Sequence, residues 1–503
     1  MLVALASGAA LVAAYSAVVS GTRYPYLSDS ASYLEMAGSI TAGQWPAVVP
    51  WGLEIPNQPT MGQVLFPPGL PLLVALASPF AGGLKAALLL LPRVSAALLP
   101  VVLLLAFRGA LADSVLVAIG VAVLFTRGVG YWHYVGYSDL PGLLVAVVAL
   151  GLTWQAAARG DRRRAVWAGA CAGLCYVTRN AGLAVIAAGT VFWTIEWWRE
   201  RSPRGMLVGW LAGLLPVYAL LKLYYLVVLG SVSPYTMPAS THGLLLNVAD
   251  WVAGQLGDLE LWPGDAGPPA TVVALTVVAV LGGVLASAAL VGRATPAGRL
   301  GSLLAAYVAC GGALTVYSRT VYEWGGLIDD RHALQYTFAL LLLGAVLVDA
   351  RGGRWRQLLP AGAAVLAALL GVAAVDRTAG ERREPEMLTR LAADPLLLSA
   401  VRELPAEEWI ASNQAAFLRI ETGRAVRQSD FGGNDEEFVE HLAEMARRVK
   451  PRPVTLVLVC DRWTVALGVC GAAVADPSCR LIRAAAPRAA LCRPPSTGIR
   501  PDA

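Results

Sequence analysis

Long apolar segments recur from residue 2 to residue 375 and constrain the fold more than any other feature of the chain. The first, residues 2–20, reads LVALASGAALVAAYSAVVS and has about the length of a helix that crosses a bilayer. It begins without basic residues and many similar segments follow, so we interpret it as a membrane span and not as a signal peptide. In total we predict about eleven spans, at residues 2–20, 88–107, 111–126, 140–158, 165–178, 181–198, 206–229, 271–292, 300–318, 335–349 and 358–375.

The composition agrees with a membrane protein. Hydrophobic residues make up 57% of the 503 residues and charged residues only 15%, against about 25% charged residues in soluble domains. A soluble enzyme is therefore nearly excluded. The net charge of +5 comes without a long run of Lys or Arg, so nothing indicates nucleic-acid binding. Because charged residues concentrate after residue 375, we predict a membrane domain at 1–375 and a small water-exposed domain at 376–503.

One apolar segment, residues 66–80, is not counted as a span. It reads FPPGLPLLVALASPF, and its prolines remove backbone donors or kink a helix, so we predict a helix at the membrane surface. Five short loops then share one side and hold 13 of the 21 basic residues of the membrane domain. Because such loops stay in the cytoplasm, we expect a cytoplasmic N-terminus, with the first long loop (21–87) and the C-terminal domain outside. Abundant Arg, Ala, Gly and Leu suggest a GC-rich bacterium, and hence the bacterial plasma (inner) membrane.

The C-terminal domain has the pattern of a small α/β unit. Apolar runs predict strands at 409–412, 425–428 and 454–460. Helical patterns predict helices at 394–404, at 413–423 with Asn413 as its cap, and at 435–449. Four cysteines would form two disulfides in an oxidising compartment. Three pairings remain open among Cys460, Cys470, Cys479 and Cys492.

The sequence contains no signature of a nucleotide-dependent or metal-dependent enzyme. It has no GxGxxG, Walker A, HExxH or DxD motif and no Cys/His spacing typical of zinc. The predicted cytoplasmic loops are also short. We therefore expect a substrate delivered by the membrane, and no cofactor is assigned, although a divalent metal remains open.

The first long loop contains a candidate catalytic carboxylate. Asp29 lies in YPYLSDSASYLEMAGS, where it shares a helix face with Tyr33 and would be favoured by the helix dipole. A simple N-cap formed by Ser28 or Asp29 explains the same local pattern. The two interpretations remain open at this point.

A second acidic residue, Asp139, ends the loop RGVGYWHYVGYS and enters the next predicted span. The aromatic residues of this loop favour an interfacial belt over a sugar-binding platform, and the lone His133 favours the same interfacial position. These aromatic residues are Tyr131, Trp132, Tyr134 and Tyr137.

Several fragments, taken in order, resemble the GT-C superfamily of integral-membrane glycosyltransferases. This superfamily includes the protein O-mannosyltransferases and the lipid A aminoarabinose transferases, which use polyprenyl-phosphate sugars. The fragments are SDSASYLEMA in the first long loop, PPG at 67–69, YSDLPGLLV, RRRAVWAGACAGLCYVTRNAGLAVI at 162–186, DRHALQYTFALLLL at 330–343 and SNQAAFLRIETGR in the C-terminal domain.

The resemblance implies an all-α polytopic membrane protein with a small extracytoplasmic α/β domain. It also implies that Asp29 is the catalytic carboxylate and that Asp139 is the second carboxylate of the site. Many members of the superfamily have an acidic residue directly after the first carboxylate. Here that position is Ser30, which puts a metal-binding or doubly acidic site in doubt.

The chemistry of a phosphate-linked sugar fits one base and several cations. The phosphate is already a competent leaving group, so transfer to a hydroxyl needs a base for the acceptor and cations for the departing phosphate. Asp29 would be the base in an inverting displacement. The candidate phosphate ligands, in order of preference, are Arg331, Arg179, Lys85 and Arg127, with Arg93 as a further candidate. Substrate binding is assigned to Tyr33, Tyr137 and His332.

Several of these charged residues have a simpler interpretation. An ion pair with Asp329 or Asp330 at the surface is the alternative for Arg331, although the functional interpretation is favoured. A snorkelling side chain is the alternative for Arg179, and Lys85 and Arg93 are more typical of ordinary interfacial anchors. Lys222 lies inside a predicted span, where a charge is costly and often functional, although it too is near enough to the end to snorkel. The loop at 230–270 is typical of a solvated face, and a cover over an acceptor groove is the less favoured alternative. Its acidic residues are Asp250, Asp258, Glu260 and Asp265.

We therefore predict a hexosyl- or pentosyltransferase that moves a sugar from a polyprenyl-phosphate donor to an extracytoplasmic hydroxyl on a glycan, lipid or protein. The alternatives are a membrane transporter or lipid flippase, which intramembrane charges and broken helices would favour, and a non-catalytic assembly subunit. The sequence does not specify the sugar, the acceptor, the polyprenyl length or the oligomeric state.

Overall fold

The chain is predominantly helical. The computed structural model describes residues 2–19, 23–26, 28–46, 66–199, 204–229, 244–258, 295–321, 330–381, 387–428, 454–459, 479–483 and 489–492. Its α-helices are α1 Leu2–Val19, α2 Ser28–Thr41, α3 Gly69–Ala81, α4 Leu84–Phe107, α5 Asp113–Phe125, α6 Arg127–Trp132, α7 Asp139–Arg159, α8 Arg162–Thr178, α9 Leu183–Trp198, α10 Arg204–Leu229, α11 Leu244–Asp258, α12 Pro296–Val321, α13 Asp330–Arg351, α14 Gly353–Glu381, α15 Met387–Ala392, α16 Pro395–Arg402 and α17 Ala415–Thr422.

The chain divides into two compact units. The first, the helical unit, comprises Met1–Val18, Ile40–Trp45 and Phe66–Gly380. The second, the mixed unit, comprises Val19–Ser39, Pro46–Leu65 and Glu381–Ala503. The described residues 23–39 of the first long loop therefore group with the C-terminal part of the chain and not with the helices that flank them in sequence.

The helical unit is that of a multi-pass membrane protein. Within the described residues, seven segments are long and apolar enough to cross a bilayer: Leu84–Phe107, Asp139–Arg159, Asn180–Trp198, Arg204–Val228, Pro296–Val321, His332–Arg351 and Gly353–Arg377. Every predicted span within the described part coincides with a helix, whereas the predicted span at 271–292 lies outside it. The total of eleven spans stays a prediction. Helix α3, in the proline-rich segment, has 13 residues, about 20 Å of helix, too short to cross.

Three helix ends meet at one end of the helical unit. The indole Nε1 of Trp154, near the end of α7, donates to the carbonyl of Pro296 at 2.9 Å. Arg299, also at the start of α12, forms an ion pair at 3.2 Å with the buried Glu196 near the end of α9. The ends of α7 and α9 and the start of α12, which adjoin the predicted loops at 159–164, 199–204 and 293–299, therefore lie together.

Other contacts define the opposite end of the helical unit. The start of α7 meets the end of α8 through Asp139 and Arg179. The amide of Asn247 in α11 donates to Thr320 near the end of α12 at 3.0 Å. These contacts involve the helix ends opposite to those near Trp154 and Arg299, while the assignment of the loops to the two sides of the membrane stays a prediction.

Glycines bring α8 and α10 into close contact. A Cβ added to Gly213 would lie 1.9 Å from the carbonyl oxygen of Val166, and one added to Gly169 would lie 2.0 Å from that of Trp210. Small residues allow such approach in membranes, where helix association depends on packing and not on exclusion of water. The two helices therefore touch through their backbones.

The mixed unit contains a five-stranded sheet. Its strands are β1 Trp409–Ser412, β2 Val426–Gln428, β3 Val454–Val459, β4 Cys479–Arg483 and β5 Ala489–Cys492, in the order β2-β1-β3-β5-β4. Strands β2, β1 and β3 are parallel, and β5 is antiparallel to both β3 and β4. Helix α17 connects β1 to β2. The predicted strands at 409–412, 425–428 and 454–460 match β1, β2 and β3 to within one residue.

In the mixed unit, the predicted cap of α17 is wrong, and some predicted features lie outside the described residues. Asn413 does not cap α17, whose N-cap residue is Gln414. The side-chain Nδ2 of Asn413 instead donates to the carbonyl of Val459 at 2.8 Å, and its Oδ1 accepts from the N–H of Val459 at 3.0 Å. Asn413 therefore connects the end of β1 to the end of β3. The predicted helix at 435–449 lies outside the described residues, as do Cys460 and Cys470, whereas Cys492 is disulfide-bonded.

The close contact of α8 and α10 generates a first prediction. We expect Gly213→Ala to lower the melting temperature of the detergent-solubilised protein, because the new methyl group overlaps a backbone oxygen and overpacking costs about 1–3 kcal/mol. Gly205→Ala, on the same helix, is the matched control, since the nearest atom to its Cβ is a flexible Arg162 carbon at 3.8 Å. Equal melting temperatures for the two variants would contradict the packing described.

Candidate active site

Asp29 lies in the first turn of α2, in the mixed unit. Its side chain is partly exposed, whereas the following residues Ser30, Ser32 and Tyr33 are buried. A carboxylate at this position is favoured by the partial positive charge of the helix N-terminus. Among the side chains of this turn that the structure describes, that of Asp29 is thus the accessible one, and Tyr33 contributes to the interior.

Helix α17 holds the segment that contains Asp29. The Nη1 of Arg419 donates to the Oε1 of Glu35 at 3.0 Å, and the two side chains form an ion pair. The hydroxyl of Tyr24 donates to the Oε1 of Glu421 at 2.7 Å. Tyr24 also packs edge-on against Phe417, with 5.2 Å between ring centroids. These contacts all lie within the mixed unit.

In the helical unit, Asp139 and Arg179 form a buried ion pair. The Nη1 of Arg179 lies 2.5 Å from the Oδ1 of Asp139, and the two side chains are 12% and 0% exposed. The Nε of Arg179 is also buried and has no hydrogen-bond partner among the residues that the structure describes. The guanidinium is therefore fixed on one side by a carboxylate and retains an unused donor.

The local sequence explains why these two side chains meet. Helix α8 ends at Thr178, and Arg179 takes an extended backbone conformation before the short 3-10 turn Asn180–Gly182. A Cβ at Gly142, in the first turn of α7, would lie 3.3 Å from the Cβ of Arg179, so a larger residue would crowd this approach. The fragments YSDLPG and VTRNAG thus meet at one point of the helical unit.

Three of the other predicted phosphate ligands lie in the first turn of a helix, and Arg93 lies further along its helix. Lys85 is exposed in the first turn of α4, and Arg127 is half-buried at the first position of α6. Arg93, further along α4, places its guanidinium 5.3 Å from the ring centroid of Tyr134. Arg331 lies in the first turn of α13, but its side chain is outside the described part of the structure.

The aromatic residues of the second loop pack inside the helical unit. Trp132 stacks on Tyr137 with 5.3 Å between centroids, and these residues and Tyr134 are buried. The interpretation of these three as an interfacial belt is therefore wrong. His133 is buried too, with its Nδ1 3.0 Å from the carbonyl oxygen of Val129.

Two of the predicted substrate-binding residues differ in exposure. The ring of Tyr137 is covered, whereas His332 is half-buried in the first turn of α13.

Comparison with solved structures gives matches along almost the whole chain. ArnT from Cupriavidus metallidurans bound to undecaprenyl phosphate matches with a TM-score of 0.60 and 12% identity, over 100% of this chain and 99% of that one. An oligosaccharyltransferase from Archaeoglobus fulgidus in complex with zinc and sulfate matches at 0.54 and 15%, over 92% and 69%. AglB from the same organism, in complex with an inhibitory peptide and a dolichol-phosphate, matches at 0.51 and 14%, over 92% and 70%. No family model matches the chain, and no curated protein sequence does.

ArnT and AglB are GT-C glycosyltransferases. This chain has the GT-C fold. The match covers both the helical part and the C-terminal part, since it extends over the full length of this chain and of ArnT. The GT-C resemblance seen in the sequence fragments is therefore confirmed at the level of the fold.

Sequence reasoning missed the burial of Asp258. Asp258 was grouped with a solvated acidic loop, but it is fully buried at the end of α11. It accepts hydrogen bonds from the N–H of Gly128 at 2.5 Å and from the hydroxyl of Thr337. It therefore links α11 to the start of α6 and to α13. The signal that could have found it is its position at the end of an otherwise apolar helix.

The cation inside a predicted span, Lys222, lies among aromatic rings. Its Nζ is 5.3–5.7 Å from the ring centroids of Tyr176, Tyr218 and Tyr225. It also donates to the hydroxyl of Tyr176 at 3.4 Å. Cation–π attraction offsets part of the cost of a charge at this depth, which gives Lys222 a structural explanation.

The described residues contain no group of three His, Cys, Asp or Glu side chains that could hold a metal ion. A divalent metal, left open by the sequence, thus has no ligand set in this part of the chain.

The buried pair generates a second prediction. We expect Asp139→Ala to destabilise the protein by about 3–5 kcal/mol, because it leaves the Arg179 charge buried without its partner. Adding Arg179→Met should restore much of this loss. Asp113→Ala, which removes the exposed pair between Asp113 and Arg108, serves as control and should cost less than about 1 kcal/mol. Unfolding in mixed micelles measures these changes, and a double variant less stable than Asp139→Ala would contradict the assignment.

Proposed function

We propose that this chain is a glycosyltransferase that moves a sugar from a polyprenyl-phosphate donor to a hydroxyl acceptor on the outer face of the membrane. The observation that carries the proposal is the GT-C fold, matched over the full length of a structure that holds undecaprenyl phosphate. AglB, a second protein with this fold, holds a dolichol-phosphate. A lipid-borne donor also agrees with the absence of nucleotide-binding motifs from the sequence.

Asp29 is the proposed base. Its carboxylate takes the proton of the acceptor hydroxyl as the acceptor oxygen forms a bond to the anomeric carbon. The bond from that carbon to the phosphate oxygen breaks at the same time, and its electron pair leaves with the polyprenyl phosphate. The anomeric configuration is inverted. No carboxylic acid is needed to protonate the leaving group, in contrast to glycosidases.

Arg179 is the proposed phosphate ligand with the best structural support. Its guanidinium carries the charge and the fork of donors that suit an anionic oxygen, and its side chain, unlike that of Asp139, keeps some solvent access at 12% exposure. Arg331, Lys85 and Arg127 are proposed as further cations for the same phosphate, and Tyr33, Tyr137 and His332 as residues that contact substrate. Of these, Tyr137 has the weakest support because Trp132 covers its ring.

We assign Asp139 a positioning role instead of a role as base. A base must reach the acceptor hydroxyl within hydrogen-bond distance, but the Asp139 carboxylate is fully buried and bound to Arg179. It orients the guanidinium and keeps its charge compensated. The two carboxylates named by the family resemblance thus have different proposed roles.

The proposed setting is the bacterial plasma (inner) membrane, with a cytoplasmic N-terminus. Residues 1–375 form the proposed catalytic membrane domain, with its first loop at 21–87, and residues 376–503 the extracytoplasmic domain. The acceptor is a glycan, a lipid or a protein. This setting would place Asp29 on the side of the membrane where the acceptor is met.

A third prediction tests the base directly. The assay uses the protein in nanodiscs, a panel of polyprenyl-phosphate hexoses and pentoses as donors, and an envelope extract as the source of acceptor. We expect the wild-type protein to release polyprenyl phosphate. Asp29→Asn should lower this rate at least about 100-fold, since general bases contribute factors of this size. It should retain binding of undecaprenyl phosphate. Asp113→Asn, another carboxylate in the first turn of a helix, is the matched control and should keep the wild-type rate.

Two outcomes would contradict the proposal. Full transfer activity in folded Asp29→Asn would remove Asp29 as the base. A wild-type protein that neither binds undecaprenyl phosphate nor releases it from any donor of the panel would contradict the transferase function itself.

A fourth prediction tests the orientation. Alkaline phosphatase is active only where its disulfides form, outside the bacterial cytoplasm. We expect a fusion after Ala503 to be active in bacterial cells and a fusion after Gly160, in the basic loop at 159–164, to be inactive. The reverse pattern would place Asp29 in the cytoplasm and contradict the proposed reaction.

A further inference from the structure

Arg419 forms a fixed connection between α17 and α2. Its Nε donates to the carbonyl of Val426 in β2, and its Nη1 donates to Glu35 at 3.0 Å. The Arg419 side chain is 3% exposed and that of Glu35 is 23% exposed. Burial lowers the pKa of Arg419, and the Glu35 carboxylate counteracts this effect. The guanidinium is thus anchored in its own domain and presents one donor to the helix that carries Asp29.

Tyr24 forms a second connection, on the other side of Asp29 in sequence. Its hydroxyl donates to Glu421, and its buried ring packs on Phe417. Burial and the Glu421 carboxylate raise the pKa of Tyr24, so the phenol remains a donor at physiological pH. Glu421 is held in turn, because its backbone carbonyl accepts from Arg402 in α16 at 2.5 Å.

Asp29 lies in the chain between these two connections. Tyr24 precedes it, Glu35 follows it on the same helix, and both are bound by one helix of the C-terminal domain. Asp29 itself is only partly buried, so the rigidity of its turn depends on what holds the segment. A displacement of about 1 Å in a catalytic group can cost a factor of 100 in rate.

We propose that the C-terminal domain positions the base: Arg419 and Glu421 on α17 hold the Asp29 segment through Glu35 and Tyr24. This inference rests on the proposed function of Asp29. None of the four residues is proposed to contact substrate, and all four are positioning residues. The C-terminal domain is then a part of the catalytic machinery and not only an acceptor-binding appendage.

Substitutions on the α2 side test this role while leaving the contacts of Arg419 within its own domain intact. Glu35→Ala removes the ion pair, and Glu35→Gln retains an oxygen that accepts from Arg419. Tyr24→Phe removes only the hydroxyl and keeps the ring on Phe417. Ser39→Ala is the matched control, because its hydroxyl donates to the Glu35 carbonyl within α2 and makes no contact of the kind proposed.

The fifth prediction concerns rate and local exchange. Per folded molecule, we expect Glu35→Ala and Tyr24→Phe each to lower kcat about 10-fold and their combination about 100-fold, with KM for the donor changed less than about 2-fold. Glu35→Gln should recover most of the loss, and Ser39→Ala should match wild type. Hydrogen–deuterium exchange should rise in residues 28–39 of the two variants but not in 139–159.

The outcomes separate this inference from the proposed function. Wild-type kcat and wild-type exchange in the folded double variant would overturn the positioning role, even if Asp29→Asn is inactive. Loss of activity in proportion to loss of folded protein, with unchanged kcat per folded molecule, would also overturn it and assign the contacts to stability alone. Full activity in Asp29→Asn would instead reject the proposed base, whatever the exchange data show.

Discussion

The buried ion pair between Asp139 and Arg179 constrains how the start of α7 and the end of α8 are arranged in the helical unit. Removing two charges from water is costly, and their mutual attraction compensates for this cost only when the two groups are close. Here the chain leaves helical geometry at Arg179 and approaches α7 at Gly142, which brings the guanidinium to a carboxylate with no solvent access. Neither charge can be removed alone without leaving the other buried, so the start of α7 and the end of α8 are fixed together.

The parts of the structure that sequence reasoning predicted are those set by local pattern. The spans follow from apolar length, β1 from the run WIAS, and the position of Asp29 in a first turn from helical spacing. The parts it missed depend on partners far away in sequence. Asn413 bonds Val459 instead of capping the adjacent helix, and Asp258 is buried because Gly128 and Thr337 donate to it. A single sequence contains the donors and acceptors but not their pairing.

The aromatic loop before Asp139 shows the same limit for burial. Tyrosine and tryptophan near a span are typical of the membrane interface, because their rings are apolar and their polar atoms prefer water. In this chain the stack of Trp132 on Tyr137 and the contact of Arg93 with Tyr134 bury them instead. Composition near a span therefore indicates depth along the membrane normal, but not whether a side chain faces lipid or protein. That depends on which helices pack around it.

The comparison of Asp29 with Asp139 shows that local sequence also fails to separate functional roles. Each follows a serine and lies in the first turn of a helix, so their local sequences, LSDS and YSDL, carry almost the same signal. Their environments separate them: one is partly exposed on a helix held from both sides, and the other is fully buried against an arginine. We propose that the partly exposed carboxylate of Asp29 acts on the substrate, whereas the buried carboxylate of Asp139 orients Arg179. On this proposal, the environment of each acid, and not its local sequence, distinguishes the base from the positioning residue.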